Sequence, residues 1–294
     1  MAYKDNTRQN WHLPDGARIA VTVNMALEAF RLKSQLTLEA RAGRKDHFSL
    51  SYGAYGARAG IWRLLDFLDE MQIKGSMSTN GRAAELYPET VKAVAEAGHE
   101  IVGHGWENDV LTPDDNVEAE LDEIRRVTRA IEDAAGTRPR GWTSPGSAGS
   151  ANTLSLLAQE GYVWNGDVAD DDLPYSRQTA NGTMMMMPRV NMPMNDLIMW
   201  SRGATSPEVI WDNFKDTFDQ LYREGIRGEP KWLEFVLHAQ MAGRPTLIPV
   251  MRRCLNYALE HEGVWIPRKG DLALWAAGLE RVDLTGRIGA ASAA

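Results

Sequence analysis

Short apolar runs alternate with longer helical patterns along this 294-residue chain, and the alternation repeats about seven times. A strand, a helix and another strand in succession call for a parallel sheet, and right-handed crossovers curl such a sheet into an α/β barrel. The apolar runs predict strands over 17–25 (ARIAVTVNM), 74–79, 99–102, 141–143, 162–164, 184–188, 232–237 and 264–266. Ile61, Leu64, Leu65 and Leu68 share one face of a helix over 56–71. Further helices are expected over 88–97, with Gly98 just past the end, and over 112–135, opened by Thr112-Pro113 and closed by Gly136. Others are expected over 152–159, 207–223 with Ser206 as cap, 247–261 and 270–279. A doubly wound open sheet is the alternative, but no GxGxxG turn follows the first strand. The length suits one domain over 1–294. The polar stretch 30–55 is too long for a simple connection and reads as a lid or an oligomer contact.

Composition removes several function classes. With 40 acidic against 32 basic side chains the net charge is −8, and a pI near 5.4 argues against a nucleic-acid partner. The lone Cys254 excludes an intramolecular disulfide, nowhere do 18 apolar residues run together, and the first residues lack an apolar signal core. A cytoplasmic protein with no membrane partner is the expectation. The run Met184 to Met187 reads as a buried strand of adaptable side chains.

In an α/β barrel the chemistry sits where strands end. Those positions hold Glu28, Asn80, His104 with Glu107, Asn108 and Asp109, then Ser144, Asp167 with Asp170 to Asp172, Asn191 with Asn195 and Asp196, and His238. Two of the six histidines fall there, His104 between two glycines that let a ligand approach. The plainer readings are a turn cap for His104, a satisfied core histidine for His238 and a solvated loop for the acidic run. His99, at the start of its strand, and Cys254, inside a helix, read as structural. Ser144 lacks the GxSxG elbow of a nucleophile. Glu28, between Leu27 and Ala29, needs a partner if it is buried.

The segment 55–106, opening YGARAGIWRLL and closing AGHEIVGHGW, resembles the polysaccharide deacetylase superfamily, carbohydrate esterase family four. The opening YGxRxGxWRLL, GWTSPGS at 141–147 and GDVADDDLPY at 166–175 are most similar to its branch of metal-independent allantoinases and cyclic imide hydrolases, and LHAQMAGRP at 237–245 to the family's last His motif. The resemblance implies a distorted (β/α) barrel with fewer than eight complete units. It places the family's Asp base on Ala26, its metal Asp on Glu28, its two metal histidines on His104 and Asn108, and its late catalytic His on His238. An Arg expected near Pro145 is absent.

Alanine takes no proton from water, and an amide oxygen is a weak zinc ligand. No cofactor is therefore favoured; a divalent metal such as zinc on Glu28, His104 and Asn108, with Glu107 or Asp109 as replacement ligand, is the alternative. The expected function is hydrolysis of a non-peptide C–N bond in a small cyclic amide or imide. Glu28 and His104 activate water, and His238 protonates the leaving nitrogen or steadies the oxyanion. Backbone N–H groups in the turn Ser144, Pro145, Gly146 are expected to complete an oxyanion hole, and Asn80, Trp106, Asn108, Trp142 and Asp167 to contact substrate. The alternatives are a metal-dependent de-N-acetylase of an amino sugar and a degenerate barrel that binds without turnover. The partner is a small-molecule substrate, and the resemblance implies a homo-oligomer.

Overall fold

Every residue of β1 (Ile19–Leu27) is buried, and its two faces divide by parity, as a pleated strand requires. Ile19, Val21, Val23, Met25 and Leu27 join the larger apolar cluster, which also holds the buried faces of the surrounding helices. Ala20 belongs to a second, smaller cluster, and Thr22 and Asn24 are buried polar groups beside it. A strand buried on both faces belongs in the middle of a parallel sheet. β1 does lie there, hydrogen-bonded to β2 (Ser76–Thr79) on one side and β8 (Lys231–His238) on the other.

The computed structural model describes residues 11–36, 44–111, 116–189, 194–197 and 206–284. The remaining strands are β3 (Glu100–Gly103), β4 (Gly141–Trp142), β5 (Trp164–Asn165), β6 (Tyr175–Thr179), β7 (Gly182–Met186) and β9 (Val264–Trp265). They follow the order β6-β7-β5-β4-β3-β2-β1-β8, with β9 also paired to β1. The sheet curls as an incomplete barrel, consistent with the expected fold class. Among the described residues its ladder does not close strand to strand; one isolated bridge, Asn195 to Val236, reaches β8. The helices are α1 (His47–Tyr55), α2 (Ile61–Glu70), α3 (Gly81–Leu86), α4 (Pro88–Glu96), α5 (Val117–Ala135), α6 (Thr153–Gln159), α7 (Glu208–Ile226), α8 (Ile248–Leu259) and α9 (Lys269–Leu279).

Several expectations need correction. The sheet is not wholly parallel: β6 and β7 form an antiparallel hairpin joined through Ala180-Asn181, with Thr179 paired to Gly182. The 30–55 stretch ends in α1, capped by Asp46, whose carboxylate accepts from Ser49 N. A π-helical turn, Gly56–Gly60, then precedes α2, so the helix expected from 56 has two parts. The short α3 falls between two predicted elements. α5 starts at Val117 under an Asn116 cap, and Thr112 to Asp115 lie outside the described residues. The Met run is buried as expected, and parity splits it: Met184 joins the larger, outer cluster that holds the helix faces, Met185 and Met187 the smaller, inner one. The inner cluster is completed by Leu272, Ala273, Ala276 and Ala277 of α9.

Candidate active site

Strand register builds one rim. Leu27 pairs with Thr79, Thr79 with Gly103 and Gly103 with Trp142, so the next residues along, Glu28, Asn80, His104 and Thr143, emerge side by side at the carboxyl ends of the strands. On the other flank of β1, Ala26 pairs with His238.

Glu28 is the centre. Its Oε1 stands 3.7 Å from His104 Nε2 and 3.6 Å from His238 Nε2. Its Oε2 accepts from Gln35 Nε2 and Gln240 Nε2, both at 2.6 Å. All three members of the Glu28, His104 and His238 group are buried. Burial by itself would raise the Glu28 carboxyl, but the flanking imidazoles, His238 foremost, and the Gln35 amide outweigh it and hold the pKa at about 2. Burial pulls His238 down, yet the carboxylates of Glu28 and Asp196 leave it raised.

The histidines are held by different acceptors. His104 Nδ1 meets the Thr143 carbonyl oxygen at 2.5 Å; a carbonyl only accepts, so this nitrogen carries the proton and Nε2 of the neutral ring offers a lone pair. His238 Nδ1 meets Asp196 Oδ1 at 2.6 Å, and Asp196 Oδ2 also takes the His238 backbone N–H at 2.9 Å. A carboxylate on Nδ1 favours the imidazolium, which presents Nε2–H toward Glu28.

Other expected site residues have different tasks. The Asn80 amide joins two loops, accepting from Ala29 N at 2.9 Å and donating to the His104 carbonyl, so it positions the rim. Trp106 packs where a Cβ on Gly81 would stand, and Trp142 stacks edge-on against Tyr162; both belong to the outer cluster. Ser144 gives both its N–H and its hydroxyl to Asp167, each at 2.7 Å. Pro145 has no N–H, so of the 144–146 turn Gly146 alone retains a backbone donor for an oxyanion hole. Asn108 N donates to Ala29 O at 2.9 Å, and its buried Oδ1 has no partner among the described residues. His99 accepts from Gly75 N and Cys254 is buried, both structural as expected. Asn191 lies outside the described residues.

The donor set does not fit the zinc site that the resemblance raised. Glu107 is paired with Arg31 at 2.6 Å and Arg82 at 3.2 Å. Asp109 accepts from the backbone N–H groups of Arg31, Leu32 and Lys33. Asn108 offers only an amide, and among the described residues no three His, Cys, Asp or Glu side chains are arranged to hold a metal ion. Sequence reasoning placed Asp196 at a strand end without giving it a role. It missed Gln35, Gln240 and Thr143 outright; Thr143 acts through its backbone, which residue type cannot signal.

The polysaccharide deacetylase family profile matches residues 42–164. A crystal structure of a probable polysaccharide deacetylase from Pseudomonas aeruginosa PAO1 is 30% identical, with a TM-score of 0.81 and coverage of 91% of this chain and 93% of that one. A crystal structure of PuuE allantoinase is 27% identical, with a TM-score of 0.80 and the same coverage. A peptidoglycan deacetylase of Helicobacter pylori is 24% identical over 74% of this chain and 84% of its own length.

Proposed function

The chain belongs to the polysaccharide deacetylase family, and on that premise we propose that it hydrolyses a carbon–nitrogen bond other than a peptide bond, in a small cyclic amide or imide. Its homologues in the family are hydrolases of such bonds. The observation that carries the reading is the pair of imidazoles flanking Glu28, one backed by a neutral carbonyl and the other by a carboxylate.

Their difference assigns the roles. His104, with a lone pair on Nε2, takes the proton of the attacking water. Glu28, at about 2, is too weak a base for that step near neutral pH; it stays ionised, orients the water and steadies the imidazolium forming on His104. His238, charged through Asp196 and Glu28, gives the proton that the leaving nitrogen needs. Water oxygen ends on the carbonyl carbon, the C–N bond breaks and the ring opens to a carboxylate and an amine or amide. Asn108 Oδ1 is an acceptor for a ring N–H.

The test is a panel of cyclic amides and imides followed for ring opening. His104→Ala should lower turnover by about 10²- to 10⁴-fold, the usual worth of a general base. Unchanged turnover would refute the assignment. Elemental analysis checks the metal-free reading: stoichiometric zinc removed by a chelator together with activity would favour a metal-dependent deacetylase. No helix among the described residues is long and apolar enough to cross a membrane. A cytoplasmic homo-oligomer completes the proposal, and light scattering of purified protein tests the oligomeric state.

A further inference from the structure

Three rim connections meet beside the catalytic centre, and one arginine ties them together. The segment after β7 begins with Met187, whose N–H bonds Asn165 O at 2.8 Å, and continues to Arg189, whose N–H bonds Val168 O at 2.7 Å. Farther on the same connection carries Asp196, the partner of His238. The Arg189 guanidinium reaches sideways: Nη1 donates to Ser147 Oγ at 2.8 Å, on the turn after β4. Its Nε stands 3.8 Å from Glu234 Oε2. Glu234 shares the inward face of β8 with His238, four residues on, and the arginine's charge is felt at His238.

A guanidinium carries five N–H donors in a rigid fork. Among the described residues its one side-chain hydrogen bond goes to a neutral hydroxyl. The carboxylate beside it stands beyond hydrogen-bond distance and is held by Lys269 Nζ at 2.8 Å. With its side chain only 14% exposed, this cation lacks a close anion of its own, a costly state that a bound anion relieves. In the nearby turn the Ser144 N–H is taken by Asp167, which leaves it a single neutral donor, the Gly146 N–H.

We propose that Arg189 is a carboxylate-binding residue of the active site, an anchor for the anion that amide hydrolysis generates. The identity of the ligand rests on the hydrolase reading: whichever amide is cleaved, the carbonyl carbon leaves as a carboxylate. Arginine suits that group because its fork matches two oxygens at once.

Calorimetry tests this without turnover, using acetate and succinamate (the ring-opened form of succinimide) as probes. Wild-type protein should bind succinamate at one site per chain. Arg189→Met should weaken it roughly 10- to 100-fold, the loss of hydrogen bonds to a charged group, and Arg189→Lys should recover part of it. Equal binding by wild type and Arg189→Met, or binding of neither probe by wild type, overturns the proposal. If Arg189→Met does not fold, Arg189→Lys decides: binding equal to wild type counts against the fork, and several-fold weaker binding supports it. A protein that binds succinamate through Arg189 yet opens no cyclic amide supports the anchor while removing the cyclic-substrate reading.

Discussion

His104 and His238 approach Glu28 from strands on either side of β1, and in the proposed reaction the acceptor behind each ring is what makes one the base and the other the acid. Asp196→Asn would replace the acceptor on His238 by a neutral one. Because Asp196 helps to raise the His238 pKa, the acidic form is lost as pH rises through that raised value. Removing the charge should move the alkaline limb of the pH–rate profile to lower pH and cut turnover by about 10²- to 10⁴-fold. An unmoved limb would separate His238 from the acid step. Stability follows the same charges. Glu28, lowered from 4.5 to about 2, contributes stability that is present above 4.5 and lost as pH falls through that interval. His238, raised from 6.5, contributes below 6.5 and loses it as pH rises past the folded value. The two shifts share the Glu28–His238 attraction, so they are not summed; that of Glu28 corresponds to a contribution on the order of 3 kcal/mol, and the contribution is fullest between those two ordinary values. Urea midpoints measured across pH should peak there, and Glu28→Gln should flatten the dependence. The three central residues were legible because each ends a strand. Gln35 was not, because the stretch after β1 has no period from which to read its path.

Elements meet the centre through close backbone approaches. A Cβ on Gly60, in the π-helical turn, would overlap the Ala239 carbonyl oxygen, so only glycine lets this turn lie against the chain leaving His238. That chain includes Gln240, which holds Glu28. Gly60→Ala should destabilise the protein by about 1–3 kcal/mol, as overpacking does, and lower turnover. Gly278 makes the contrast: a Cβ there meets nothing, and the residue lies inside α9. Gly278→Ala should therefore add about 0.5–1 kcal/mol through helix propensity. Denaturant midpoints check both signs. Helix faces and strand parity were readable from hydrophobic spacing, which is why α2 and the Met run were foreseen. The π-turn was not, since its cause is a contact with residues about 180 positions away, and periodicity reports only neighbours.

At the scale of the molecule, α9 is seated against the inner cluster by one buried ion pair. Lys269 Nζ meets Glu234 Oε1 at 2.8 Å with both side chains buried, and the ammonium lies 5.1 Å from the Trp164 ring centre and 5.4 Å from that of Trp232. Lys269→Met strands a carboxylate inside and should cost about 3–5 kcal/mol. Adding Glu234→Gln should recover most of that loss, and chemical unfolding of the single and double variants measures both. The alternating pattern announced the architecture, but not this pair: Lys269 falls just before the helix predicted from 270, where a lysine reads as exposed.

The incomplete barrel carries one further consequence. Besides its ladder with β1, β8 meets one isolated bridge among the described residues, made by Asn195, and the next residue, Asp196, helps to raise the His238 pKa. Mechanical closure and chemical competence are thus adjacent links of one chain. On the proposed reading, parting that bridge would also take the partner from the acid, so an opened molecule would be idle.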